Sequence, residues 1–429
     1  MRRYKEYLDF YNGKQWLGAA RTSEKRLTLN YARAFVHKCA SYLFGQPYGL
    51  WVPALDSSLH EVERAALAER LLKEAYETDG PFAADYDAAV DCAVLGDGAY
   101  KVGWDALLGR PSVVGVDPQS IETMRAPEDY RRVVSVRQTY PLSIEEVARR
   151  WGFRRVGGGE ATVVEEWTAE GFTLYVDDAR VLDAPNPLGE PPYVVFPNVR
   201  RPHSPWGESD LATLIEPARE LNARMSVLAH ILEVSGHPIT VLENVDAGEG
   251  IRVASGEMWE LPERSRAYLL DMLSGGGVRL HIEYIDLLYR TLHDLAETPR
   301  TAFGDSGRVI SGAALEVEME PLVQKVNRKR AIWTTVIQKR NELMLRLMEM
   351  NGAGDLSPYR TLVQWPSLLP EDRSQLARDE TALVEAGIHS RRRAMDALGE
   401  DAPEEEWALL ICQPADAFTR KPVHHVATT

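Results

Sequence analysis

The sequence predicts a mixed α+β fold, and three patterns in it say so. Long stretches of apolar residues recur at helical spacing, most clearly through 210–234, 278–298 and 312–350. Short runs rich in β-branched and aromatic residues, broken by Gly, Pro or Asp, fill 99–176. The chain of 429 residues is 45% hydrophobic and 26% charged, an ordinary globular balance in a length that calls for more than one compact body.

The elements follow in order. Aromatic and basic residues mix through the first 50 positions, and Ala32, Phe35, Val36, Ala40 and Leu43 share one helical face that Gly45 and Pro47 close. Ser58–Thr78 and Phe82–Leu95 read as two further helices. Strands are expected at Ala99–Trp104, Ser112–Val116, Val133–Thr139, Thr162–Thr168 and Thr173–Val176. Ser143, with Glu146 three residues on, opens a short capped helix ending at Trp151. The proline-bearing segment 184–207 reads as an extended linker. Leu211, Leu214, Ile215, Ala218, Leu221, Met225, Leu228 and Leu232 then line one stripe of a long helix from Asp210 to Val234. Short strand-like runs in Ile239–Leu261 carry no core of their own and need a partner strand, expected from an adjacent subunit. A second long helix carries Ile282, Ile285, Leu288, Leu292 and Leu295 and stops at Pro299. Arg300–Ser311 is a loop with Gly304 and Gly307. Gly312–Met350 is the longest helix, with Pro321 inside it. A strand at Leu362–Trp365 and helical segments at 371–386, 390–398 and 403–411 complete the reading.

Charge and motifs exclude several functions. The formal net charge is −15 and the pI about 5.3, the wrong sign for a protein that holds nucleic acid by general phosphate neutralisation. Three distant cysteines, Cys39, Cys92 and Cys412, form neither a disulfide framework nor a zinc spacing, which points to a reducing compartment. No apolar run reaches 18 residues, and no apolar stretch follows the basic start, so neither a membrane span nor a signal peptide is expected. No GxxxxGK[ST] or HExxH occurs, so no nucleotide, metal or other cofactor is expected and the chain is not read as an enzyme. Asp85, Asp87 and Asp91 are the one acidic group that suggests a metal-dependent nuclease; a charged helix surface is the plainer reading. Lys325, Arg328, Lys329 and Arg330, with Lys339 and Arg340 a few turns on, form a basic stretch. It reads either as inter-helix or inter-subunit ion pairing or as transient contact with DNA phosphates.

Several segments, in this order, resemble the portal proteins of tailed bacteriophages: Tyr7-Leu8-Asp9-Phe10-Tyr11-Asn12-Gly13-Lys14; Asn30-Tyr31-Ala32-Arg33 leading to Tyr42-Leu43-Phe44-Gly45-Gln46-Pro47; Pro205-Trp206-Gly207-Glu208-Ser209-Asp210-Leu211; Glu297-Thr298-Pro299; Ser311-Gly312-Ala313-Ala314-Leu315; and Leu368-Leu369-Pro370-Glu371-Asp372. The resemblance implies the portal fold, with residues 1–205 and 313–368 as wing, 206–236 and 275–298 as stem helices, 237–274 as a small β-containing clip, 299–312 as tunnel loop and 369–429 as a short helical crown. It implies a homo-oligomeric ring, a dodecamer at the capsid vertex, assembled in the host cytoplasm and carried in the virion. Double-stranded DNA would pass through it in packaging and ejection. The terminase large subunit, head-completion or adaptor proteins, and the major capsid and scaffolding proteins would be its partners. On this resemblance Arg308, Val309, Ile310 and Ser311 face the channel, Lys325, Arg328, Lys329 and Arg330 touch DNA or a neighbouring subunit, and Val241, Leu242, Ile251, Val253 and Trp259 dock the partner at the clip. The alternatives are a DNA-processing nuclease and a helical scaffold without a channel.

Overall fold

The computed structural model describes residues 3–20, 24–79, 81–155, 157–235, 240–244, 264–269, 277–305, 312–369 and 373–398. The chain divides into two compact units, Met1–Pro366 and Ser367–Thr429.

The first unit opens with α1 (Tyr4–Tyr11) and α2 (Tyr31–Phe44). Asn30 caps α2 by accepting from the Arg33 amide, and the apolar stripe of α2 is buried as its spacing requires. Next come β1 (Gly49–Trp51), α3 (Leu59–Asp79) and α4 (Pro81–Leu95). A run of strands follows: β2 (Asp97–Asp105), β3 (Arg110–Gly115), β4 (Ile121–Arg125) and β5 (Val133–Ser143). Helix α5 (Ile144–Trp151) interrupts it before β6 (Glu160–Trp167), β7 (Gly171–Val176), β8 (Ala179–Pro185) and β9 (Tyr193–Pro197). Ser143 accepts from the Glu146 amide, as the capping pattern predicts, and Gly152 ends α5 at φ +70°. Strands β4 to β8 form a five-stranded antiparallel meander in chain order. Ile144 and Val147 of α5 seal one of its faces against Val163, Leu174 and Val176.

A second sheet has the order β3-β2-β9. Here the linker reading of 184–207 is corrected: Tyr193–Pro197 pairs antiparallel with β2, Lys101 opposite Tyr193 and Asp97 opposite Pro197. The prolines that suggested a linker bracket an edge strand, where a missing N–H is tolerated.

Beyond β9, α6 (Ile215–Ser235) begins later than its apolar stripe, because Leu211 and Leu214 are buried from a turn that precedes it. Strands β10 (Thr240–Glu243) and β11 (Arg266–Leu269) pair antiparallel, Val241 opposite Tyr268. The partner of the first short strand is therefore in the same chain, not in an adjacent subunit; Arg266–Leu269 escaped the sequence reading because four residues carry too little pattern. Helices α7 (Gly277–Leu295) and α8 (Gly312–Met350) follow, then β12 (Leu362–Gln364), which pairs with β1. Phe10, Phe35, Val94, Leu214, Leu221 and Leu292 bring α1, α2, α4, α6 and α7 into one core. The second unit contains α9 (Arg373–Glu385) and α10 (Arg391–Leu398), with His389 Nδ1 2.8 Å from Glu380. The helix expected at 403–411 lies outside the described residues.

The 39-residue α8 organises the first unit. Leu322, Val326, Lys329, Trp333, Val336, Arg340, Leu343 and Leu347 alternate spacings of four and three, and all are buried. Two of these stripe positions are cations. Arg340 is 1% exposed, and its Nη1 donates to Asp85 Oδ1 at 2.5 Å. Its Nη2 donates to the hydroxyls of Tyr76 (2.6 Å) and Tyr48 (2.9 Å) and to Asp85 Oδ2 (3.2 Å). Tyr48 and Tyr100 donate in turn to Asp85 at 2.8 and 2.6 Å. Burial pushes both tyrosine hydroxyls well above their ordinary pKa, so they remain donors. This network joins α3, α4, β2 and α8. Arg340→Met leaves the buried Asp85 carboxyl without its cation and should cost about 3–5 kcal/mol, the usual penalty for removing one partner of a buried pair. Denaturant titration measures it, and a loss below about 1 kcal/mol would place the pair in the energetic class of surface bridges.

Candidate functional site at the joint of α6, α7 and α8

The segment 205–211, singled out in the sequence, turns the chain from β9 into α6. It does so against the corner where α4 passes into β2. Gly96 sits at φ +92°, and a Cβ there would lie 2.8 Å from the Ser209 amide nitrogen. A Cβ on Gly207 would lie 2.1 Å from the Gly96 carbonyl oxygen. The Gly207 amide donates to Asp97 Oδ1 at 2.8 Å, and Ser209 Oγ donates to the Val94 carbonyl at 2.5 Å. Two glycines thus let two backbones touch, and Asp97 and Ser209 fix the contact.

That contact delivers Asp210 to the interior. Its carboxylate accepts from Lys329 Nζ at 2.9 and 3.0 Å and from Asn198 Nδ2 at 2.8 Å, with Lys325 Nζ at 3.5 Å. Lys325 also donates to the Ala296 carbonyl at the end of α7, at 2.9 Å. One carboxylate therefore ties the entry to α6, the exit from α7 and the middle of α8. Burial alone would raise the Asp210 pKa; Lys325, Lys329 and Asn198 outweigh it and hold the carboxyl far below the ordinary range. Burial would lower the Lys329 pKa, and Asp210 holds it above its usual value.

Beyond α7 the chain reverses at Glu297, φ +49°, and enters a 3₁₀ turn at Arg300–Phe303. His293 Nδ1 is 2.7 Å from the Thr298 carbonyl and so carries its proton there. The imidazole packs edge-on against Phe35, Tyr289 and Phe303, and burial lowers its pKa. Arg300 pairs with Asp305 at 2.5 Å. The chain is thus anchored as far as Asp305. Arg308, Val309, Ile310 and Ser311 lie outside the described residues, as do Ile251, Val253 and Trp259. Val241 and Leu242 lie in β10.

The four cations expected to form one basic patch point in different directions. Lys325 and Lys329 point inward to Asp210. Arg330 donates to the Pro366 carbonyl at 2.8 Å and lies over the Trp365 ring. Arg328 alone is exposed, paired with Glu297 at 2.5 Å. Arg340 is likewise buried, as described above. Of the three aspartates weighed as a metal face, Asp85 turns inward to Arg340, while Asp87 and Asp91 stay on the exposed side of α4. Among the described residues no group of three or more His, Cys, Asp or Glu side chains is placed to hold a metal ion, and no helix is long and apolar enough to cross a membrane. Sequence reading missed Asp210, Asn198 and His293. The available signal was the α8 stripe, which places Lys329 among buried positions and so demands an internal carboxylate.

A carboxyl whose pKa falls on folding adds stability above its unfolded value, about 3.9, and that stability drains away as pH falls below it. Folding stability of the chain should therefore decline from about pH 4 downward. Asp210→Asn should be less stable at neutral pH and show a shallower acid decline. Denaturant titrations across this range measure both, and an acid limb as steep as wild type contradicts the assignment.

The comparisons bear on the whole chain. No curated protein matches it. Residues 1–410 match the sequence model of the family described as phage portal protein, SPP1 Gp6-like. That span contains every element described above, and the family is a structural component of the virion's genome-packaging apparatus: the chain belongs to the phage portal protein family.

Proposed function

We propose that this chain is one subunit of a ring, dodecameric at the capsid vertex, whose channel passes double-stranded DNA during packaging and ejection. Residues 1–205 and 313–368 are the wing, 206–236 and 275–298 the stem, 237–274 the clip, 299–312 the tunnel loop and 369–429 the crown. The terminase large subunit and later the head-completion protein dock at the clip, with capsid and scaffolding proteins around the ring.

The apolar face of α7 carries this reading. Helices α6 and α7 pack together, yet Leu280, Tyr284 and Leu287, which share one side of α7, remain 68, 40 and 58% exposed. A contiguous face of this kind needs a cover, and neighbouring copies of the same helix pair supply one in a ring. The net charge of −15 suits a conduit, because a negative wall keeps the DNA backbone centred and free to move. Val309 and Ile310 give the tunnel loop an apolar tip that touches DNA without an ionic grip. A nuclease built on Asp85, Asp87 and Asp91 is disfavoured, since Asp85 is already the counter-ion of Arg340.

Negative-stain images of the purified protein should show rings with a central hole. Leu280→Ser with Leu287→Ser should leave the protomer folded, with a far-ultraviolet circular dichroism spectrum like wild type, and shift light scattering toward monomer. A wild-type chain that is strictly monomeric at micromolar concentration overturns the reading, as does metal-dependent DNA cleavage by the purified protein.

A further inference from the structure

A second cationic feature is unrelated to the Asp210 joint. The turn between β4 and β5, the approach to β9 and the C-terminal half of α8 enclose an open cleft of about 590 Å³. Four cations line it, Arg131, Arg132, Lys339 and Arg346, against the single carboxylate Glu190, a formal lining charge of +3 in a chain of −15.

The cations are positioned by structure. The turn is closed by the Ala126 amide on the Arg132 carbonyl (3.0 Å) and the Arg132 amide on the Asp129 carbonyl (2.9 Å). Both arginine side chains are exposed, and among the described residues neither guanidinium has an ion-pair partner. Arg131 lies over the neighbouring Tyr130 ring. On the opposite wall Lys339 and Arg346 stand two turns apart on one face of α8. Glu190 receives both, at 2.9 and 2.5 Å, and Glu342 accepts from Lys339 at 3.0 Å.

We propose that this cleft is a phosphate-backbone site for double-stranded nucleic acid. The arrangement selects a polyanion. A single incoming carboxylate gains little where Glu190 and Glu342 already serve the α8 cations. A duplex carries one charge per about 1.7 Å of helix axis and can meet all four cations together. The cations are long, hydrated and spread around an open concavity, as suits salt-dependent backbone contact rather than a desolvated protein interface. Interleaved carboxylates keep the contact weak enough for DNA to leave. The proposal rests on the portal reading only for the identity of the polyanion, since double-stranded DNA is the cargo assigned there.

Fluorescence anisotropy with a short mixed-sequence DNA duplex on assembled rings tests it, with negative-stain images of the same samples. Arg131→Ala with Arg132→Ala should bind the duplex about tenfold more weakly at low salt, and the slope of log K against log salt should be shallower by about 2, one unit per lost phosphate contact. Arg70→Ala with Lys73→Ala, on the exposed face of α3, should change neither. Unchanged duplex binding by intact rings of the Arg131/Arg132 variant overturns the site while leaving the ring reading standing. Rings that fall apart in that variant, with duplex affinity unaltered, overturn it in favour of a subunit contact. Wild-type protein that forms no rings counts against the portal assembly itself, a failure the images separate from loss of the cleft.

Discussion

The first unit depends on one constraint: α8 is buried over much of its length and carries cations at buried positions. Lys329 and Arg340 occupy stripe positions flanked by Val326, Trp333, Val336 and Leu343. Each needs a carboxylate brought to it from elsewhere in the chain, because an unpaired charge in such a place is prohibitive. Asp85 of α4 meets Arg340, and Asp210 at the entry to α6 meets Lys329. The two glycines of the 96/207 contact, the Asp97 and Ser209 hydrogen bonds that fix it, and the Tyr48–Tyr76–Tyr100 cluster all place those two carboxylates.

Pairing of this kind fixes geometry more than it adds stability, since desolvation offsets much of the Coulombic gain. What it fixes here is the relation between α8 and the two helices that enter and leave the body. Lys325 extends the same tie to the residue that follows α7 through the Ala296 carbonyl, and Glu297 with Arg328 repeats it at the surface. In a portal subunit this is the point where the proposed stem and tunnel loop leave the wing. The joint holds the residues that follow α7 against α8 at that point.

Much of the fold was legible in the sequence because its signals are local and periodic. The bounds of α2, α4, α5 and α8 follow from apolar spacing, from Gly45 and Pro47 past the end of α2 and from Ser143 at the start of α5. Strand β9 was hidden by its flanking prolines, and β11 by its length. The joint was the least legible part. A run such as Lys325–Arg330 reads as a surface patch when composition alone is considered, and only its phase on the α8 stripe separates Lys329, inward, from Arg328, outward. Asp210 carries no signal of its own: it follows Ser209 at the approach to a helix and looks like part of an ordinary cap. Its role arises from a contact across 119 positions of sequence, beyond the reach of any window.

The most direct test of this account is a double-mutant cycle on the joint, with Asp210→Asn, Lys329→Met and the pair combined, each measured by denaturant titration at neutral pH. Asp210 and Lys329 should act as one unit, with a coupling energy of about 2–3 kcal/mol, so that the double variant is far more stable than the two single losses would add to. Single losses that simply add, within about 0.5 kcal/mol, would mean that the ion pair does not hold α8 to the entry of α6, and would contradict the account.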